Sequence, residues 1–379
     1  MDTPPPVPYS RPTTPGSAGF PLQIGLIGLG AMGSLMAKNL ANHRSAHIHG
    51  SPPVMVWNRT AAQADKLFAE LGQDKIQIAK SVEQVVTECD VVITNLANDE
   101  VVKSIYQQLA QTLKHTPPAR NKIFVEMSTI YPTLAGELDT LVSRSRLRNT
   151  LRAAAAQLLI LMSGDYRSKK EVAYILVPAV GKKVVDLGGN LEKAPTFKLI
   201  GNSMILGSLE ILAEAYTLAE KSGIPANEVH LLVKGTAASH SYSFLIIIAS
   251  ARYLPCAKAP ISPRSRPRLT LTRVPSIIRY SERMSHDQFD GSSGVAIDGG
   301  IKDASHIRRL TAVHNAPMPT IDIAHQHLIT ARAIHEGKVQ AGKETVEVLD
   351  WSGIIAGTRV AAGLDAFDSG KNVGVVTED

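Results

Sequence analysis

The chain has 379 residues, 44% of them hydrophobic and 20% charged, which suffices for two domains with packed cores and is ordinary for a globular protein. It contains no run of 18 or more apolar residues, which argues against a membrane-spanning helix. The formal charge of +6 is local: Arg252 to Arg283 holds eight basic residues and one acidic, leaving the remainder near −1, so no basic face for nucleic acid is implied.

The opening stretch, residues 1–20, is rich in Pro, Ser and Thr and predicts a disordered tail. It is too polar for a signal peptide and lacks the Arg-rich pattern of a transit peptide. The chain has two cysteines, Cys89 and Cys256, far apart in sequence, which fits a reducing compartment. A cytoplasmic setting is the expectation.

From Pro21 onward strand and helix patterns alternate. "LQIGLIGLG" is a short apolar run ending in glycines, and "AMGSLMAKNLA" continues at helical spacing. "VMVWNRT", "DVVITNLAND" and "KIFVEMST" read as further strands, separated by the helix-like "AAQADKLFAELG" and "EVVKSIYQQLAQTLK". Repeated strand–helix–strand units imply a parallel sheet covered on both faces. After "KKVVDLGG" helices dominate. The long "PTFKLIGNSMILGSLEILAEAYTLAEKSG" carries its own stop signals, with Lys221 in the last turn, Gly223 for a left-handed cap and Pro225 beyond. "DASHIRRLTAVHN" and "PTIDIAHQHLITARAIHEG" read as later helices, and the domain boundary falls near residue 195.

Gly28, Gly30 and Gly33 form G-x-G-x-x-G between a strand and a helix. In that context the first glycine permits a tight turn, the second lets backbone approach a pyrophosphate, and the third permits close helix packing. The helix N-terminus, opening with Ala31 and Met32 after Leu29, favours the phosphate charge. At the end of the second strand an acid would hold the 2′-hydroxyl of NAD, but Asn58, Arg59 and Thr60 stand there instead. Arg59 suits a 2′-phosphate, so NADP is expected over NAD.

Lys198 and Asn202 stand four apart, on one face of the long helix. A lysine in an apolar helix face can exchange a proton near neutral pH, and the amide can hold a substrate oxygen. Spacing alone leaves a solvated lysine as the simpler reading. His325 and His327, at i,i+2, cannot share a helix face, so no metal pair is expected. His306 and His314 read as surface or helix-end residues.

Taken in order, "GLIGLGAMG", "WNRT", "EMST", "KLIGNSM" and "IKDASH" make the chain, from about Gln23 to Ile334, resemble the β-hydroxyacid dehydrogenase family. That family includes 3-hydroxyisobutyrate dehydrogenase and shares the NADP-binding domain type of 6-phosphogluconate dehydrogenase. The resemblance implies an α/β Rossmann-type doubly wound parallel sheet over 21–194, followed by a separate all-α domain over 195–379. It implies that Lys198 is the general acid/base and that Asn202 orients substrate. Leu96, Ala97, Thr129 and Lys302 would line the cofactor pocket, with Ser128 beside it on the substrate side. The implied reaction is reversible, NADP-dependent oxidation of a small 3-hydroxy acid to its carbonyl counterpart, in a homo-oligomer. Imine reductases share the architecture but usually lack the lysine, which Lys198 argues against.

Two segments depart from the family pattern. Where a strand and a Pro/Gly-containing substrate loop belong, residues 142–157 carry "VSRSRLRNTLRAAAAQ", which would leave the sheet one strand short and the substrate anion without its donors. Arg148 or Arg152 is a candidate replacement. Residues 252–275 form an Arg/Pro-rich insert in the helical domain, expected as an exposed loop. A missing loop and a foreign insert together are the pattern that misplaced splice boundaries leave. A family member that keeps the NADPH site but lacks catalysis is therefore the alternative reading.

Overall fold

The computed structural model describes residues 6–10, 21–143, 150–152, 158–238, 275–292, 294–343 and 346–372. Most of 142–157 and of 252–275, with the expectations placed on them, lies outside the described residues. Two compact units are present, one comprising Met1–Met204 with Lys302–Met318, the other Ile205–Ile301 with Pro319–Asp379. This partition differs from a single cut near 195, because the long helix divides at Met204 and the segment Lys302–Met318 belongs to the first unit.

The first unit is built from β1 (Ile24–Ile27), α1 (Ala31–His47), β2 (Val54–Trp57), α2 (Ala61–Leu71), β3 (Ile76–Ile78), α3 (Val82–Glu88), β4 (Val91–Thr94), α4 (Asp99–His115), β5 (Ile123–Glu126), α5 (Pro132–Ser143), β6 (Thr150–Arg152), β7 (Leu158–Met162), α6 (Tyr166–Leu176) and β8 (Gly181–Asp186). The first six strands form one sheet in the order β3-β2-β1-β4-β5-β6, parallel throughout. Residues 150–152 supply a strand beside β5 after all, so backbone pairing fills the position expected to be empty. β7 and β8 pair in a separate two-stranded parallel sheet.

The central strands β1 and β4 are buried along their whole length because helices cover both faces. Successive side chains point oppositely: Val54, Val56, Val91 and Ile93 join Met36 and Leu40 of α1 in one core, while Met55 and Val92 join Val85, Tyr106 and Leu109 of α3 and α4 in the other. Helices α4 and α6 open on side-chain caps. Asn98 accepts the Val101 N–H at 2.9 Å, and Asp165 accepts the Ser168 N–H at 3.0 Å.

Part of the segment expected to be a disordered tail is packed. Val7 and Tyr9 are buried in the first core, the Pro6 carbonyl accepts the Val184 N–H at 2.8 Å, and the Tyr9 ring meets Tyr166 edge-on at 5.7 Å. Two large apolar side chains within a polar segment gave it something to bury.

Next come α7 (Lys193–Lys221), α8 (Ala226–Ala238), α9 (Pro275–Ser285), α10 (Ile297–His314), α11 (Pro319–Gln340) and α12 (Ile355–Ala361). α7 ends as its sequence predicts, with Gly223 at φ +70°. The second unit is helical, with two isolated bridges. Its core buries Leu209, Tyr216, Leu328 and Ile355. The fully buried Arg359 is held by Glu220 and by Asp287 at 2.8 Å, so its own charge is paired.

Candidate functional site

The strand order reverses between β1 and β4, and in such sheets ligands bind beyond the carboxyl ends of the strands at that point. The glycine loop leaves β1 there. Gly28 has φ +100°, and a Cβ on it would stand 2.2 Å from the Asn95 carbonyl oxygen. A Cβ on Gly33 would stand 2.0 Å from the Gly28 carbonyl oxygen, so α1 packs against the turn as only glycine allows. Gly30 is different: nothing lies within 4 Å of the same position, and the residue is exposed. Two glycines are required by packing and the third faces open space, which fits a pyrophosphate at that point. α1 also has no side-chain cap and no acidic residue in its first turn, whereas α4 carries Asp99 and Glu100 there. Its positive end is left to an anion. Ala31 and Met32 are exposed in this first turn, while Leu29 is buried.

Asn58 joins this loop to the end of β2. Its Oδ1 accepts the Leu29 N–H at 2.9 Å, while Nδ2 donates to the Thr60 carbonyl at 2.9 Å and to Gln63 Oε1 at 2.7 Å. Its amide is thus engaged within the protein. Arg59 and Thr60 beside it are exposed, and Arg59 forms no salt bridge among the described residues.

The loops after β4 and β5 are tied together from within. Thr94 Oγ1 donates to the buried Glu126 at 2.7 Å, and the other Glu126 oxygen accepts the Ser128 N–H at 2.6 Å. Ser128 Oγ then accepts the Leu96 N–H at 2.7 Å. Lys302 of α10 closes the group, donating to the carbonyls of Ala97 at 3.2 Å and Thr129 at 2.9 Å. Leu96, Ala97, Ser128, Thr129 and Lys302, picked out separately along the chain, are therefore gathered in one place.

On α7, Lys198 and Asn202 are both half-buried, one turn apart. Asn202 Nδ2 donates to Asp303 Oδ2 at 2.7 Å, which aligns the amide with the Lys302 segment. Sequence reasoning missed Asp303, and it missed Asp99 and His306 too. His306, expected at the surface, is largely shielded, with Nε2 standing 3.3 Å from Asp99 Oδ1. His314 does end its helix and is exposed. The overlooked signal is that Lys302, His306 and Arg309 recur at helical spacing. Among the described residues no group of three or more His, Cys, Asp or Glu could hold a metal.

Fold and loop together define a dinucleotide-binding α/β unit, accompanied by a helical unit. The family model for the NAD-binding domain of 6-phosphogluconate dehydrogenase matches residues 23–189. A probable 3-hydroxyisobutyrate dehydrogenase of Mycobacterium tuberculosis is 30% identical over 222 residues, covering 56% of this chain and 69% of that protein. The NADH-dependent oxidoreductase ucdB of Aspergillus ustus is 23% identical over 309 residues, 78% of this chain and 88% of its own. The cytokine-like nuclear factor N-PAC of Danio rerio is 31% identical over 211 residues, 53% of this chain, but the match spans only 42% of that longer protein. In structure, 3-hydroxyisobutyrate dehydrogenase of Mycobacterium tuberculosis matches with a TM-score of 0.62 at 21% identity, covering 90% of this chain and all of that one. The chain belongs to the β-hydroxyacid dehydrogenase family, and its first unit is an NAD(P)-binding Rossmann domain. Among the described residues no helix is long and apolar enough to cross a membrane.

Proposed function

We propose that the chain is an NADP-preferring oxidoreductase that interconverts a small 3-hydroxy acid and its carbonyl counterpart. The observation that carries this reading is the glycine loop, where Gly30 opens onto free space while Arg59 stands exposed at the end of β2. An exposed guanidinium there suits a 2′-phosphate and offers nothing specific to a bare ribose hydroxyl. The bound dinucleotide supplies the hydride chemistry.

The chain's own residues then have three tasks. Gly28 to Gly33 and the first turn of α1 would hold the pyrophosphate, and Leu96, Ala97, Thr129 and Lys302 would wall the pocket. Asn202, oriented by Asp303, would hold the substrate oxygen. Lys198 would move the proton: its neutral amine accepts the hydroxyl proton on oxidation, and its ammonium returns it on reduction. A cytoplasmic homo-oligomer belongs to the same reading.

A panel of 3-hydroxy acids assayed with NADP and NAD tests this. NADP reduction that falls at least about a hundredfold in Lys198→Ala, with NADPH binding retained, is expected for loss of a general base. Unchanged turnover in that variant would remove Lys198 from the chemistry. Higher turnover with NAD would refute the role of Arg59, and the relative named as NADH-dependent makes that arm necessary. The second reading is a non-catalytic NADPH-binding protein. It is favoured by the departure of 142–157 from the family pattern and by the likeness to a protein named as a nuclear factor. It predicts NADPH binding with no turnover on any substrate.

A further inference from the structure

One face of α10 presents Lys302, His306 and Arg309, spaced i, i+4 and i+7. Each meets a group on the segments that follow β4 and β5, Asp99 being the first residue of α4. Lys302 holds the carbonyls of Ala97 and Thr129. His306 stands against Asp99 at 3.3 Å. The Arg309 guanidinium lies 3.9 Å above the centre of the Tyr131 ring, a cation–π geometry. The two receiving groups are themselves joined, since the Tyr131 N–H donates to the Asp99 carboxylate at 3.1 Å. The Tyr131 and His306 rings lie 5.8 Å apart.

These groups are shielded enough for their pairing to matter. The His306 and Asp99 side chains are 15% and 22% exposed, and Tyr131 is 4% exposed. Partial removal from water strengthens the attraction between the Asp99 carboxylate and the polar groups that face it. Burial alone would raise the Asp99 carboxyl, but the His306 side chain, the Tyr131 N–H and the nearby Lys302 charge outweigh it and hold it below the usual carboxylate range. Asp99 therefore remains an anion at neutral pH.

Building on the dinucleotide reading of this pocket, we infer that Asp99, His306, Tyr131 and Arg309 form a latch. It clamps the Lys302 segment of α10 onto the β4 and β5 loops and thereby sets the affinity for the cofactor. The four are positioning residues, acting through Lys302 and through the loop backbone at Ala97 and Thr129. A dinucleotide that binds the latched loops must stabilise the latch by the same factor.

The test uses the full-length chain, with NADPH and NADH as fluorescent probes. His306→Ala and Asp99→Asn are each expected to weaken NADPH binding about fivefold, the range of one partly shielded polar contact. His306→Arg, which places a permanent cation opposite Asp99, is expected to retain most of the affinity. Because His306 acts through the Lys302 segment, the double variant His306→Ala/Lys302→Ala should bind no more weakly than Lys302→Ala alone. Unchanged affinity in both single variants overturns the latch, and so do effects that simply add in the double variant. Wild-type protein that binds neither probe instead overturns the dinucleotide reading itself, and the latch with it.

Discussion

At the scale of single residues, the three glycines of one motif do different work. Gly33 leaves no room for a methyl group, since its Cβ would meet the Gly28 carbonyl oxygen at 2.0 Å. Gly33→Ala should therefore destabilise the ligand-free protein by about 1–3 kcal/mol, the usual cost of overpacking. Gly30→Ala meets nothing and should leave the melting temperature unchanged while weakening NADPH binding, because the added methyl enters the space kept for the phosphates. Thermal melts and NADPH titrations of both variants check the pair, and a Gly30→Ala protein that binds NADPH normally would count against the pyrophosphate position. The tight turn at Gly28 and the close packing at Gly33 were legible in the sequence, because a turn that only glycine can make leaves a fixed spacing. Asn58 stood out in the sequence at the end of the second strand, but the contacts of its amide did not. Only the fold brings Leu29 and Gln63 within reach of its amide.

At the scale of elements, strand and helix order followed from periodicity, and the stop of α7 from its Lys, Gly and Pro. What sequence could not give was the side of a helix that meets a distant loop. His306 was misread for that reason: a lone polar residue on a helix gives no sign of the carboxylate that will face it. A comparable tie joins α7 and α11 in the second unit. His327 Nδ1 lies 2.7 Å from Glu210 Oε1, and the ring packs where a Cβ on Gly357 would stand. The Glu210 hydrogen bond raises the His327 pKa, burial opposes it, and the charges of Glu210 and Glu214 add to the rise. With a folded value above the ordinary 6.5, the protonated pair contributes its full stability below that value. The contribution is lost as pH rises through the higher folded value. Melting temperature should fall over that window, and His327→Gln should flatten the fall. A wild-type curve identical to that of the variant would show that the pair contributes nothing.

At the scale of the whole molecule, both the family and its NAD(P)-binding architecture were readable from five short motifs in order, since each is fixed by backbone geometry or by site chemistry. The packed segment at 6–10 was not, because a few apolar residues in a polar stretch do not announce their docking site. Removing residues 1–10 exposes the surface covered by Val7 and Tyr9 and removes the entropic cost of ordering residues 6–10. Burial and regained chain entropy nearly cancel, so the expected loss is on the order of 1 kcal/mol. Denaturant titration of the truncated chain measures it, and an unchanged midpoint would show that the docking is energetically neutral. The partition of the first unit has a consequence for how the protein is made. Lys302 reaches carbonyls that lie 205 and 173 residues earlier in the chain. As the chain emerges from the ribosome, the sheet, the glycine loop and Arg59 come first, while one wall of the pocket is about a hundred residues from being translated. On the role proposed for Lys302, synthesis delivers the ability to grip a dinucleotide late, and a fragment ending at Met204 would carry the motif without Lys302.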